Sequence, residues 1–288
     1  MVQTRATVTV AALLHPNVPR TAVDRFGAIA SDLEIVPDVR ELEHLSAVLI
    51  FGGDGTIHRH LPELHRRRIP TLVVPKGSGN DFAKALGITN EKVALAAWKT
   101  FCQSGGTNVR EIDLGVIQGS GGEVLFCCVT GAGLDSAANS MANRMPSWLR
   151  GAGGYLLAAV QSLMTFEPTE FRLNAEGRET RKRGFFVAVG NAHRYGRGMK
   201  VAPQAELDDG QLDICLVGAM NRFKLLCCVP TVFAGAHLRI KEVEYFRAPR
   251  LGIETGRPLD VYADGEFACT TPVEIGLLPR AFRVIVPA

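Results

Sequence analysis

The chain has 288 residues, room for about two domains at roughly 150 residues each, which excludes a lone peptide module. Hydrophobic residues make up 47% and charged residues 21%, a globular balance that excludes wholesale disorder and a collagen-like repeat. With 32 Lys and Arg against 29 Asp and Glu the formal charge is +3, too weak a field for a dedicated nucleic-acid binder.

The N-terminus alternates as Thr7-Val8-Thr9-Val10 and runs into 11–14, the period of a strand with no small-residue cleavage site behind it, so no signal peptide is expected. Residues 8–14, 47–51 and 71–74 predict buried strands. Residues 57–68, 81–86 and 91–103 predict helices, and the alternation describes a parallel α/β layer. Beyond about residue 113 strand patterns dominate: 123–129, 170–173, 184–189, 212–217, 242–246, 259–263 and 282–286, with one helical insert at 136–166. Gly115, Gly119, Gly121 and Gly122 punctuate the change of texture, which suggests an α/β domain over 1–115 and a β-rich domain over 116–288.

The seven cysteines include the adjacent pairs Cys127-Cys128 and Cys227-Cys228 but no C-x-x-C, so they read as small core hydrophobes of a reducing cytosol. The most apolar later stretches, 155–166 and 223–236, carry Gln161, Lys224 and Pro230 and fall short of the ~20 apolar residues a membrane span needs.

Directly after the strand at 47–51 stands Gly52-Gly53-Asp54-Gly55-Thr56, and a helical pattern follows. Glycines at a strand end let the backbone approach a ligand, and a helix N-terminus offers unpaired N–H groups and a positive dipole to an anion. Asp54 suits a phosphate cradle where a cation sits between carboxylate and phosphate, as in Mg-nucleotide binding. On its own, Gly-Asp-Gly is also an ordinary tight turn. The next strand leads into Pro75-Lys76-Gly77-Ser78-Gly79-Asn80-Asp81-Phe82-Ala83, with a hydroxyl at Ser78 and Asn80 or Asp81 as helix cap. Two such loops in succession would lie side by side at the carboxyl edge of one sheet. Neither is a P-loop or a G-x-G-x-x-G fingerprint.

These strings, then Asp113-Leu114-Gly115, Gly131-Ala132-Gly133-Leu134-Asp135, Gly190-Asn191, Tyr195-Gly196-Arg197-Gly198-Met199, 203–210 and Asp264-Gly265-Glu266, resemble the diacylglycerol kinase catalytic family of lipid kinases, in the family's order over roughly residues 6 to 287. The G-G-D-G-T string is shared with NAD kinases and phosphofructokinases; the strings at 77–88 and 203–213 are more specific. The resemblance implies a phosphofructokinase- or NAD kinase-like α/β nucleotide domain followed by a mainly antiparallel, sandwich-like β domain, with the active site in the cleft between them. It implies that Gly52, Gly53, Asp54, Gly55, Thr56, Ile57 and His58 hold the ATP phosphates with Ser78. Asp54, Asp81 and Asp113 would form the carboxylate network around a catalytic Mg2+, and Asp209 with the carbonyls of Glu206 and Gln211 a structural Mg2+ site. Asp264 and Glu266 match the family's catalytic acids, one of which would accept the proton of the lipid hydroxyl.

That inventory is what phosphoryl transfer demands: metal and backbone donors for the charge, a carboxylate to orient the acceptor. If the chain stays extended, Asp264 and Glu266 point to one face; otherwise they belong to a turn. Diacylglycerol is the default acceptor, with a sphingoid base, ceramide, phosphatidylglycerol or NAD as other acceptors and a catalytically impaired binding protein as the rival of another class. The lipid partner would be met at the inner face of a membrane by a cytoplasmic, peripheral enzyme without nucleic acid; a homodimer stays open. The chain departs from the family pattern at His15-Pro16-Asn17-Val18-Pro19, which lacks a glycine, at His58-Arg59, and at Arg197. His58, His60 and His65 lie among Arg59, Arg66, Arg67 and Arg68 and read as a solvated basic face. The cations at 178–183 and 194–200 are candidates for meeting anionic headgroups.

Overall fold

A computed structural model describes residues 9–30, 32–134, 165–196 and 198–288. The chain divides into two compact units, Met1–Ile112 with Arg280–Ala288, and Asp113–Pro279.

In the first unit the apolar runs form β1 (Val10–Leu14), β2 (Leu33–Ile35), β3 (Ala47–Gly52) and β4 (Thr71–Pro75). They pair in parallel in the order β2-β1-β3-β4. The end of β15 (Val273–Ile285) extends the sheet through Val284 beside Thr71. Strand β3 is buried over its whole length, as a central strand covered on both faces must be. Around the sheet stand α1 (Asp24–Gly27), α2 (Asp54–Arg67), α3 (Asp81–Ala85) and α4 (Glu91–Ser104). Asn90 caps α4 by accepting the Val93 N–H at 3.1 Å, and Gly105 ends it at φ +67°, a conformation natural to glycine. Phe26 packs edge-on against Phe51, and Phe82 stacks on Phe282. The strand order reverses between β1 and β3, and at such a switch point open α/β sheets place their ligands, beyond the carboxyl ends.

The second unit is antiparallel. Strands β5 (Val109–Gly119) and β6 (Gly122–Phe126) form a hairpin. They are followed by β7 (Val129–Gly133), β8 (Thr169–Ala175), β9 (Arg178–Gly190), β10 (Leu212–Gly218), α5 (Arg222–Phe233), β11 (Val243–Ala248), β12 (Arg250–Thr255), β13 (Asp260–Ala263) and β14 (Glu266–Thr270). The sheet runs β14-β13-β7-β9-β8-β12-β15, with β10 between β9 and β11. Its core gathers Phe126, Phe171, Val187, Val189, Ile214, Leu251, Val261 and Ile275. The architecture is therefore the expected pair of an α/β layer and an antiparallel β layer. Gly115 does not interrupt β5: a Cβ there would lie 2.0 Å from the Phe126 ring, which occupies that space from the paired strand. The predicted strand at 123–129 is two strands, broken at Cys127-Cys128. The helical insert expected at 136–166 falls almost wholly outside the described residues, as do Asp135 and Arg197.

All seven cysteines are free thiols, five of them buried. The basic-face reading of α2 needs correction. His60 is buried at 8% exposure, and His65 places Nδ1 2.8 Å from the Ala281 carbonyl, because the helix turns these positions toward the sheet. Of the cations at 178–183, Arg181 pairs with Glu170 at 2.9 Å and Lys182 with Glu244 at 2.6 Å.

Burial holds the imidazoles of His60 and His237 below their ordinary value. The unfolded chain therefore binds protons that the folded one refuses. The contribution of these two groups is constant above about pH 6.5 and falls as pH drops below it, by up to about 1.4 kcal/mol per pH unit for each group, until the folded-state value is reached. Urea midpoints between pH 8 and 5 should show this decline, and His60→Gln should make it shallower while leaving the share of His237; an unchanged slope in the variant would place the effect elsewhere.

Candidate functional site

The two glycine loops touch. Gly53, the N-cap residue of α2, and Gly77 lie back to back: a Cβ on Gly77 would stand 2.5 Å from the Gly53 Cα and 3.1 Å from its nitrogen. A side chain at Gly77 would force the loops apart, and at Gly53 a Cβ would stand 3.0 Å from the Gly77 Cα, a tight contact. Gly52 is constrained as well, since a Cβ there would meet the Thr56 Oγ1 at 2.5 Å. The Lys76 N–H donates to the Gly52 carbonyl at 2.9 Å, continuing the β3-β4 pairing into the loops.

Asp54 holds the arrangement from the first position of α2. Its carboxylate accepts the N–H groups of Asp81 at 3.1 Å and Phe82 at 3.0 Å, so α3 is capped by a residue of the other loop. Neither Asn80 nor Asp81 supplies the cap, contrary to expectation. Asn80 takes a left-handed φ of +54° and instead clamps the turn, accepting the Gly77 N–H at 2.8 Å and donating to the Gly77 carbonyl at 2.7 Å. Asp81 is 3% exposed. Ser78 is exposed at the tip of the turn, Ile57 is buried and His58 half-buried. Ile57 thus faces the core and reaches the loop only through its backbone, whose N–H bonds the Gly53 carbonyl at 3.2 Å. The 14-residue α2 carries the dipole and the N-terminal donors that a polyphosphate needs. The site fits Mg2+ in the chemistry of its donors: hard carboxylate oxygen, supplied singly, where Mg2+ completes its shell with phosphate oxygens and water.

A second assembly lies in the other unit. Asp264 and Gly265, at φ +51° and +91°, form the two-residue turn between β13 and β14, with Ala263 paired to Glu266. Positive φ at both positions is the signature of a type I′ hairpin, for which Asp-Gly is a preferred sequence. The alternative of an extended Asp264-Gly265-Glu266 segment with both carboxylates on one face is therefore corrected. The Asp264 carboxylate accepts the N–H groups of Cys127, Cys128 and Val129 at 2.7, 2.8 and 3.1 Å, while Glu266 is exposed at the start of β14.

The same backbone segment is held from its other side by the fully buried Asn191. Its amide donates to the carbonyls of Cys127 at 2.9 Å and Asp113 at 3.0 Å. Asp113, 2% exposed, accepts the Gly210 N–H at 2.8 Å through its carboxylate and donates its own N–H to the Leu207 carbonyl at 2.7 Å. Asp113, Asn191 and Asp264 thus brace one set of loops.

Asp209 accepts the Gln211 N–H at 3.0 Å and lies 3.6 Å from the Arg247 guanidinium. Among the described residues no group of three or more His, Cys, Asp or Glu side chains is arranged around a metal position. Sequence reasoning missed Asp213, buried and directly opposite Arg247 across β10-β11. Its carboxylate accepts the Tyr245 hydroxyl at 2.6 Å and the Arg247 Nε–H at 3.1 Å. Burial pushes this carboxyl above its ordinary value while Tyr245 and Arg247 oppose the shift. The available signal was an acid inside the apolar run Leu212-Asp213-Ile214-Cys215-Leu216. Arg247 also donates to the Gln204 carbonyl, so this cluster anchors the 203–211 loop.

Residues 4–117 match the model of the diacylglycerol kinase catalytic domain, and residues 128–286 that of the YegS C-terminal NAD kinase beta sandwich-like domain. A diacylglycerol kinase of Mycobacterium tuberculosis is 36% identical over 96% of this chain and 88% of its own length; one of Bacillus subtilis is 28% identical over 85% and 79%. A diacylglycerol kinase crystal structure from Bacillus anthracis str. Sterne superposes with a TM-score of 0.69 at 20% identity, covering 96% of each chain. An NAD kinase from Archaeoglobus fulgidus in complex with ATP gives 0.58 at 14%, covering 97% of this chain and 94% of that one. The same pair of domains, end to end, and a relative above one-third identity over nearly its whole length make this chain a member of the diacylglycerol kinase family of lipid kinases.

Proposed function

We propose that the chain transfers the γ-phosphate of Mg-ATP to the hydroxyl of diacylglycerol, giving phosphatidic acid and ADP. The observation that carries the reading is the contact of Gly53 with Gly77, bridged by Asp54 at the N-terminus of α2. Backbone N–H groups there bind the phosphates, and the Ser78 hydroxyl adds a donor. Asp54, beside Asp81, would hold Mg2+, which when bound neutralises phosphate charge; Asp113, expected in the same network, belongs to the other unit and accepts the Gly210 N–H there. At the second expected metal position a cation would have to share Asp209 with Arg247.

Glu266 is the proposed general base. Its carboxylate accepts the proton of the lipid hydroxyl as the oxygen forms its bond to the γ-phosphorus and the bond to the ADP oxygen breaks. Asp264, with three backbone donors on its carboxylate, is a positioning residue that fixes the turn from which Glu266 projects. No helix among the described residues is long and apolar enough to cross a membrane.

The test is transfer of label from ATP, with Mg2+, to diacylglycerol, a sphingoid base, ceramide, phosphatidylglycerol and NAD in parallel. The expected outcome is labelled phosphatidic acid. Label in a different acceptor would keep the kinase and replace its substrate. Tight Mg-ATP binding by calorimetry with no labelled product would leave a binding protein.

A further inference from the structure

Helix α5 carries apolar side chains on the face it turns to solvent. Five large hydrophobic side chains stand exposed among the described residues, and four belong to this helix: Phe223 at 77%, Leu226 at 45%, Val229 at 39% and Phe233 at 51%. Steps of three, three and four residues align them in one stripe, with the exposed Cys227 and Pro230 beside it. Only Leu225 and Cys228 of the helix are buried. An ordinary surface helix has the opposite polarity, and a contiguous exposed apolar patch marks an interaction site.

Charge identifies the occupant. From Asn221 to Lys241 the sequence holds Arg222, Lys224, Arg239 and Lys241 and not one Asp or Glu. Arg222 and Lys224 are held to the body by Glu167 and Glu242, each at 2.6 Å. Arg239 and Lys241 are exposed just beyond the helix, and the Lys200 N–H bonds the Val232 carbonyl at 3.1 Å, which brings one more cation to the C-terminal end. A second copy of the chain is a poor complement. A two-fold contact would set this cationic patch against itself, and one helix of 12 residues supplies far fewer than the roughly 20–30 residues a side of a standard interface. An anionic bilayer complements both properties, since apolar side chains enter the headgroup boundary while cations meet the phosphates.

We propose that α5 is the segment by which this protein lies on an anionic phospholipid surface, with Phe223, Leu226, Val229 and Phe233 inserted and Lys200, Arg239 and Lys241 at headgroup level. The inference rests on the lipid-kinase reading in that the acceptor lipid resides in such a surface. It assigns a docking face, distinct from the residues proposed for phosphoryl transfer.

The full chain is sedimented with vesicles of phosphatidylcholine alone or mixed with phosphatidylglycerol, alongside the double variants Phe223→Ser/Phe233→Ser and Arg239→Glu/Lys241→Glu. All four positions are exposed, and retained folding is checked by circular dichroism. The wild type should sediment with the anionic vesicles. The Phe pair should lose binding by about tenfold or more, and the charge-reversed pair should lose the preference for anionic lipid. Phosphorylation of a water-soluble short-chain diacylglycerol without vesicles should be unchanged in both. Wild-type binding by both variants overturns the proposal. So does a wild type that phosphorylates the soluble acceptor yet ignores vesicles, which leaves the kinase reading intact. Vesicle binding that depends on these residues in a chain that phosphorylates nothing supports the docking face and fails the kinase reading instead. A wild-type dimer that the Phe pair converts to monomer, with vesicle binding unaltered, assigns the stripe to a second copy and overturns the proposal.

Discussion

Replacing Glu266 by Gln should lower kcat by about 10²–10⁴-fold, the worth of a positioned general base, with the thermal midpoint and Mg-ATP affinity unchanged. The residue is exposed and begins β14, so an isosteric amide disturbs no packing. Asp264→Asn should behave differently. Its carboxylate receives three backbone N–H groups. An asparagine retains one oxygen and turns an NH2 toward backbone donors, leaving at least one of them unpaired at a cost of about 1–3 kcal/mol. The variant should therefore lose stability in urea as well as turnover. Wild-type rates in Glu266→Gln would remove the base assignment, and an Asp264→Asn chain of undiminished stability would make Asp264 a participant in the chemistry and not a brace.

The contrast shows what the sequence disclosed and what it did not. Hydrophobic periodicity located β1, β3, β4 and α2 to within a few residues, because a buried parallel strand reads as a continuous apolar run and the glycines after β3 mark its end. The short β2 has only Leu33-Glu34-Ile35, too little pattern to be read without its partner β1. Pairing across the sequence was also hidden. The Phe126 ring over Gly115 makes a glycine that reads as punctuation a strand residue. The roles of polar residues were the least legible. Asp54, Asn191 and Asp264 were visible as motif positions, but their bonds go to backbone groups that only the folded chain brings within reach. Asp264-Gly265 did carry a local signal, since the dipeptide favours a two-residue hairpin. That signal outweighs the period-two argument that put Asp264 and Glu266 on one face.

The loop contact yields the second large effect. Gly77→Ala should weaken Mg-ATP binding by at least about tenfold, because a Cβ within 3.0 Å of backbone forces one loop to move and misplaced donors lose charge-assisted hydrogen bonds worth about 1.5–3 kcal/mol. The atoms it would meet are the Gly53 Cα at 2.5 Å and nitrogen at 3.1 Å, with the Asn80 Oδ1 at 3.0 Å; two of these belong to backbone and cannot rotate away. Separation of the loops would also loosen the Asn80 clamp and the reach of Asp54 to Asp81 and Phe82. Asp54→Ala should reproduce much of the loss by uncapping α3 and removing the carboxylate. Gly27→Ala is the control: a Cβ there meets nothing within 4 Å, so affinity should stay at the wild-type level. Calorimetric titration with Mg-ATP reads all three. Wild-type affinity in Gly77→Ala would mean that the phosphates are held somewhere other than at this contact.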